Sequence, residues 1–388
     1  MPLPAPTPLA ERPTVTLGCT GLHFPADALR VACENGIAPV LMHRLTGEDG
    51  SSDDGPREML AATADALRKD GYSSAWGAWG AGCSVRTAAD AAAFATAGYT
   101  WFSFAIGGEI DSRAETMPLN ELDAAIVALE DSGHLAAEWH AHYTDRAWQL
   151  PSGRTLHFAD ETLARVAVKY GRALAHAGQL QQAIRTLWSG RGAAPDIELC
   201  FAGRRDPWNA EEFLFLALES ARCGLAPVCI SPSLGAAWQP GAEFGGDPDA
   251  LSATLSLAGE IAALAGPLKV GIHHAAGKTN LEAAVQRTLG TRAHLDFEEA
   301  AWLATLDVLA QRNPELFRRW LCAAQEQFPF ATGGMALAIT EEDIHVLPQV
   351  GDAELAATFL GDVRGRQLLL ATFPDVLRCD RALREALC

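Results

Sequence analysis

The stretch from Leu268 to Leu303, LKVGIHHAAGKTNLEAAVQRTLGTRAHLDFEEAAWL, carries the unit from which the fold is read. A short apolar run, Leu268 to His273, ends in the first of two adjacent histidines and opens into a small-residue loop bearing Lys278. Helical spacing follows from Leu281 to Leu289, then a second apolar run from Arg292 to Phe297, then a further helix from Glu298. Strand-length runs separated by helix-length segments predict parallel strands joined by crossover helices, because parallel neighbours cannot be linked by a tight turn.

The alternation extends to both ends of the chain. Further strand candidates are Thr14 to Gly18, Pro39 to Arg44, Tyr99 to Ile106, Asp196 to Ala202, Ala226 to Ser231 and Met335 to Ile339, which brings the number to eight. Helices are expected at Arg57 to Lys69, Thr87 to Ala97, Pro118 to Asp131, Asp160 to Ser189, Ala210 to Cys223, Asp249 to Ala265 and Glu298 to Gln311. Asn313 followed by Pro314 reads as a helix cap with proline at the first helical position. Eight strands with intervening helices predict an α/β fold, a (β/α)8 TIM-barrel-like domain. Residues 1–13, rich in proline, are expected as a flexible tail, residues 14–388 as one barrel domain, and about 351–388 as additional closing helices. No GxGxxG or GxxxxGK[ST] run is present, which removes the best support for the usual nucleotide folds.

Hydrophobic residues make up 49% of the 388 and charged residues 20%, a composition that packs a core and excludes wholesale disorder. A formal net charge of −18 argues against a nucleic-acid or anionic-membrane partner, since phosphate attraction needs a basic face. The expected partner is a small molecule. No apolar run reaches the roughly 18 residues of a membrane helix, and no secretory signal opens the chain, so a cytoplasmic protein is expected. Nine scattered cysteines without a CxxC pair are expected reduced.

Parallel folds of this kind place ligands at the carboxyl ends of their strands, and candidate residues are sought there. In VGIHHAAGK, alternation puts Gly271 and His273 on one face and Ile272 and His274 on the other, so only one histidine enters a barrel mouth. His273 is chosen; the alternative is a pair that caps loop backbone. In RAHLDFEEA, His294 and Asp296 share a face one strand later. Two imidazoles on neighbouring strand ends are what a metal site draws together, although Asp296 also reads as the start of the next helix.

In DIELCFAGRRDPW, Glu198 lies mid-strand with Cys200 and Ala202 on its face. A carboxylate in an apolar strand needs a cation, a metal or several donors; a salt bridge to Lys169 or an arginine would serve equally. Arg204 and Arg205 beyond the strand end are of the type that clamps a carboxylate. In WFSFAIGGEID, Glu109 and Asp111 are acid/base or metal-ligand candidates, and equally an ordinary loop and cap. Trp76, Trp79, Trp101 and Trp238 are candidates for a sugar-facing wall or for the core.

These segments together resemble the tagaturonate epimerase family. KVGIHHAAGK is similar to the family's KLSIHSGSDK, HLDFEEAAWL to HVKTAGTSxLEA, NPELFRRW to DPxLFR, VKYGRALAH to a KYG-A--H helix and GYTWFSFAIGGEID to a GFTFFTID-type strand. The best-matched block runs from about Leu225 to Phe328. His273, Lys278, His294, Glu198 and Lys169 keep the family residue, whereas Ala202 and Gly203 replace an acid pair, GAGCSVRT around Cys83 replaces ADADHLKT, and Glu212 stands where the family has a histidine.

The resemblance implies a barrel enzyme that inverts C4 of a ketohexuronate or related ketose with a divalent metal, zinc, nickel, manganese or cobalt. His273, His294 and Glu198 are the implied metal ligands, Glu198, Glu109 and Asp111 the acid/base candidates, and Lys278, Arg204, Lys169 and Trp238 the substrate-binding candidates. Retro-aldol cleavage of C3–C4 followed by re-addition is the implied route. Two alternatives stay open: another sugar aldolase or isomerase, in a Schiff-base version resting on Lys278 or Lys269, and a non-catalytic carbohydrate-binding descendant.

Overall fold

Along β1 (Thr14–Gly18) the side chains alternate between threonine and large aliphatics, and the two sets go to opposite sides of a closed wall. The computed structural model describes residues 5–10, 12–18, 26–44, 55–81, 85, 87–202, 206–278, 281–331, 337–344, 349–380 and 382–383. After β1 come β2 (Ala38–Arg44), β3 (Gly77–Ala81), β4 (Trp101–Ala105), a short antiparallel hairpin of β5 (Ala147–Gln149) and β6 (Thr155–His157), then β7 (Asp196–Cys200), β8 (Cys229–Ser231), β9 (Lys269–Ile272) and β10 (Ala293–Asp296). The eight strands outside the hairpin close into a barrel in the order β1-β10-β9-β8-β7-β4-β3-β2, every neighbour parallel. The expected fold is present.

Seven of the eight expected strands are in that barrel; the eighth is a correction. Residues 337–339, the described part of Met335 to Ile339, form no strand: the backbone N–H groups of Ala338 and Ile339 both donate to the Gln367 side chain. The missing wall is β3, GAWGA, which glycine and alanine hide from a β-propensity reading. Its glycines are required by packing, since a Cβ on Gly80 would stand 2.2 Å from the Phe94 ring.

The helices are α1 (Ala26–Glu34), α2 (Gly55–Lys69), α3 (Ala88–Ala97), α4 (Leu119–Asp131), α5 (Asp160–Leu187), α6 (Ala210–Arg222), α7 (Pro248–Ala265), α8 (Leu281–Thr288), α9 (Glu298–Arg312) and α10 (Pro314–Ala331), then α11 (Glu341–Ile344), α12 (Leu355–Phe359) and α13 (Val363–Cys379). Several starts follow the sequence signals: Thr87 and Asp90 form a reciprocal capping box on α3. Outward residues such as Leu199, Ile230, Val270 and Phe104 form the main core beneath these helices. The closing helices make a second core in which Trp302 stacks on Phe373 at 4.7 Å. They also reach the loop after β8, where Arg366 donates to the Gly241 carbonyl at 2.6 Å and Gln367 to the Gln239 side chain at 3.0 Å.

The N-terminal stretch is not a loose tail over Thr7 to Ala10. Thr7 donates to the Trp76 carbonyl at 2.9 Å, and the backbone N–H groups of Leu9 and Ala10 donate to Asp196 at 2.5 and 3.0 Å. Leu9 is 2% exposed. Asp196 begins β7, so this segment crosses the amino-terminal end of the barrel, opposite the end where chemistry is expected.

Candidate functional site

The barrel interior is polar on the side of β1 and β7 to β10, where many such barrels are filled with branched aliphatics, while β2 to β4 contribute Ala38, Val40, Met42, Trp79 and Trp101. Alternation turns Asp196, Glu198 and Cys200 of β7, Cys229 and Ser231 of β8, Lys269 and Gly271 of β9, and His294 and Asp296 of β10 to one side. Parallel register levels Glu198 with Cys229, Cys200 with Ser231, and His294 with Gly271. His273 follows β9 directly and enters the cluster from above Gly271.

Glu198 is fully buried and receives three donors. The Trp101 indole N–H reaches Oε2 at 3.2 Å, the Ser231 hydroxyl donates to Oε1, and Nε2 of His273 stands 2.7 Å from the same oxygen. Ser231 is admitted by Gly271, since a Cβ there would lie 1.7 Å from its Oγ. On the other side of the ring, Nδ1 of His273 faces Asp296 Oδ2 at 3.0 Å, while Asp296 Oδ1 accepts the Glu298 N–H at 3.0 Å. Asp296 therefore fills both roles read for it, helix start and site residue. Burial opposes charge on Glu198, yet the facing His273 and the hydrogen bonds hold its carboxyl well below the usual range. Burial likewise opposes charge on His273, but Cys200, Glu198 and Asp296 outweigh it and keep the imidazolium. The partner that Glu198 demanded is His273, not Lys169 or an arginine.

His294 does not join His273. Its Nδ1 lies 2.8 Å from the Thr14 hydroxyl and its Nε2 3.3 Å from that of Thr16, and its ring stacks on Trp101 at 4.4 Å. The His273 and His294 ring centres are 6.5 Å apart. Burial, opposed by Glu198, brings His294 down to about 4 and leaves it neutral at pH 7. With both nitrogens engaged by threonines of β1, His294 stands apart from the Glu198–His273 contact as a packed interior residue.

As expected, the neighbouring histidines separate. His274 adopts φ 56°, which turns the chain at the strand end, and its Nδ1 meets Glu299 Oε1 at 2.5 Å. Lys278 donates to the carbonyls of Gln239 and His274 at 2.8 and 2.7 Å and lies 4.7 Å over the Trp238 ring. Burial lowers it to about 8, against the pull of Glu299 and Glu243. The Trp238 indole in turn donates to the His273 carbonyl at 2.8 Å. Lys278 and Trp238 thus fasten the loop that carries His273.

Other expected site residues lie elsewhere. Lys169 is buried on α5 between Glu115 and Glu212, at 2.6 and 2.5 Å. Asp111 caps a short 3-10 turn, Ser112–Glu115, and pairs with Arg113 at 2.6 Å, while Glu109 faces Arg172 at 3.6 Å. Neither acid makes a hydrogen bond or ion pair with Glu198 or His273; each faces an arginine instead. Arg204 lies outside the described residues. Lys269 donates to the Arg12 carbonyl at 3.2 Å and lies 5.0 Å over Trp101, at the amino-terminal end of β9 and away from the mouth. Sequence reasoning passed over Ser231 and gave Cys200 no part, although alternation had already put Cys200 on the face of Glu198.

The cluster suits a divalent cation. A metal-ligating histidine typically gives its other ring N–H to a carboxylate, which fixes the tautomer and aims the free nitrogen, and Asp296 stands in that position toward Nδ1. Nε2 then faces the buried Glu198 carboxylate, and Cys200 Sγ lies 3.7 Å away. In the proton-loaded state described here, the His273 cation neutralises that carboxylate.

A groove of about 1490 Å³ lies on the far side of the wall, lined by the outward Val15, Leu17 and Leu295 together with Phe297, Val31 and Val308. It is mainly apolar and brings no carboxylate to bear, so the chemistry is assigned to the strand ends rather than to this groove.

The chain is 22% identical over 371 residues to the tagaturonate/fructuronate epimerase of Thermotoga maritima, covering 95% of this chain and 73% of that protein. The glycerol-complexed crystal structure of fructuronate-tagaturonate epimerase UxaE from Cohnella laeviribosi superposes with a TM-score of 0.82 at 23% identity, over 100% of this chain and 78% of that one. The native crystal structure of the same enzyme gives 0.80 over the same shares, also at 23% identity. These structures share the fold. The family profile for tagaturonate epimerase matches residues 2–387, and the chain belongs to that family.

Proposed function

We propose that this protein is a carbohydrate epimerase that inverts C4 of a ketohexuronate of the tagaturonate and fructuronate type, with a divalent cation held by Glu198 and His273. The observation that carries the reading is the buried line Glu198–His273–Asp296 at a strand-end mouth, with contacts of 2.7 and 3.0 Å. Such a line concentrates negative charge around one site for a cation. A divalent ion there supplies a Lewis acid toward the C2 carbonyl.

The C4 hydrogen of a 2-ketose is too far from the carbonyl to be acidic, but its C4 hydroxyl is placed as in an aldol. Transfer of the hydroxyl proton to a base at the strand-end mouth, with Glu109 in the turn after β4 and Asp111 beyond it as candidates, breaks C3–C4; the bond's electron pair passes to C3 and the C2 carbonyl, and C4 becomes an aldehyde. Rotation of that aldehyde and re-addition at its other face restore the bond, and the proton returns to oxygen. Glu198 is a poor proton acceptor for this step because three donors already occupy it, so its part is to hold the cation. The walls are Trp238 and Trp79, the latter edge-on to His273 at 6.3 Å, with its indole N–H buried and unpartnered among the described residues. That N–H is available to a substrate oxygen, and the third proton of Lys278 to the substrate carboxylate.

Nuclear magnetic resonance of cation-loaded protein with tagaturonate or fructuronate in D2O tests the reading. Conversion with C4 hydrogen retained is expected. Deuterium at C4 would overturn the aldol route, and saturable binding without conversion would favour the carbohydrate-binding descendant that the loss of acids at Ala202 and Gly203 suggests.

A further inference from the structure

Cys200 follows Glu198 by two residues on β7, so both side chains share the interior face, and its Sγ lies 3.7 Å from Nε2 of His273. One donor atom from each of Glu198, Cys200 and His273 falls within 4.8 Å of the others. The next position on that face is Ala202, so the strand offers no other donor there. Cys229, the other interior thiol near Glu198 among the described residues, sits lower in the barrel and faces Ser231 Oγ at 3.7 Å.

We propose that Cys200 is a thiolate ligand of this site, which makes it a carboxylate–thiolate–imidazole centre selective for zinc or cobalt over manganese or magnesium. This rests on the cation-binding part of the function proposed above. Three protein ligands of these types with an open position match the composition of catalytic zinc sites. A soft thiolate favours borderline metals over hard ones that take oxygen ligands. On binding, the Cys200 S–H bond and the His273 Nε2–H bond give way to sulfur–metal and nitrogen–metal bonds and two protons leave to solvent; no electron is transferred.

Full-length protein stripped with a chelator and titrated with Co(II) tests this without any turnover. The expected result is a near-ultraviolet sulfur-to-cobalt charge-transfer band that saturates at one ion per chain, together with zinc-dependent protection of Cys200 from alkylation on peptide mapping. Cys200→Ser, with its fold verified by circular dichroism, loses the band and binds zinc about tenfold or more weakly, whereas Cys229→Ser keeps the band. Cobalt bound without the band, or an unchanged zinc affinity in Cys200→Ser, overturns the thiolate. A chain that takes up no ion overturns both the thiolate and the cation-dependent reading. The band in a protein that converts no ketohexuronate supports the thiolate while the proposed reaction fails.

Discussion

Asp296 Oδ2 stands 3.0 Å from Nδ1 of His273, on the opposite side of the ring from Glu198. Two neighbouring strand ends thereby fix one imidazole from behind and leave its other nitrogen aimed into the barrel mouth. Asp296→Asn should keep the acceptor that Glu298 N–H uses while weakening the hold on the ring. Zinc affinity, read by competition with a chromogenic chelator, should fall about 10–100-fold, with little change in the far-ultraviolet spectrum. An unchanged affinity would mean that the carboxylate does not orient the ligand.

Gly271 makes room for Ser231, which in turn donates to Glu198. Gly271→Ala places a methyl group 1.7 Å from the Ser231 oxygen and 2.9 Å from Cys229 Sγ, so overpacking should cost about 1–3 kcal/mol in urea unfolding. Adding Ser231→Gly should recover part of that stability. It should not recover activity, because Glu198 then lacks one of its donors. Full recovery of both would show that Ser231 plays no part in holding the carboxylate.

The barrel was legible in sequence wherever β-branched and aromatic residues marked the walls, as in TVTLG and WFSFA. It failed at GAWGA, where the packing of Phe94 against Gly80 selects small residues over strand formers, a tertiary demand that local propensity does not carry. Alternation predicted which of His273 and His274 faces inward. It could not tell that His294, on the same side, has its nitrogens taken by Thr14 and Thr16, because that depends on which strand closes the barrel beside β10. The partners of Glu109 and Asp111 were illegible for a related reason: Arg172 and Arg113 come from a helix and a turn whose approach no spacing rule fixes.

His43 is buried on the outer face of β2, with Nε2 2.8 Å from the Thr63 hydroxyl, and burial lowers it to about 3. Between that value and the ordinary 6.5 the unfolded chain binds the proton that the folded one refuses. Its contribution is therefore complete above pH 6.5 and is lost as pH falls toward 3, with a limiting slope of about 1.4 kcal/mol per pH unit. Equilibrium unfolding at stepped pH should show wild type weakening below pH 6.5 and His43→Leu weakening less steeply, whatever its starting stability. Equal slopes would contradict a neutral buried imidazole.

Lys278 offers the last expectation, and its sign follows from the same kind of balance. Desolvation lowers its ammonium to about 8, with Glu299 and Glu243 opposing, so the positive charge proposed to meet the substrate carboxylate is complete below that pH and is lost above it. KM for a ketohexuronate should rise as pH passes 8, while that for a neutral ketose tested in parallel should not. Lys278→Arg, which keeps a charge at all accessible pH, should flatten the rise even if its own KM is higher throughout. Lys278→Met should bring the acid and the neutral sugar to similar KM values at pH 7. A rise shared by both sugars would instead point to loosening of the loop that Lys278 ties to Gln239 and His274, and would leave the carboxylate to another group.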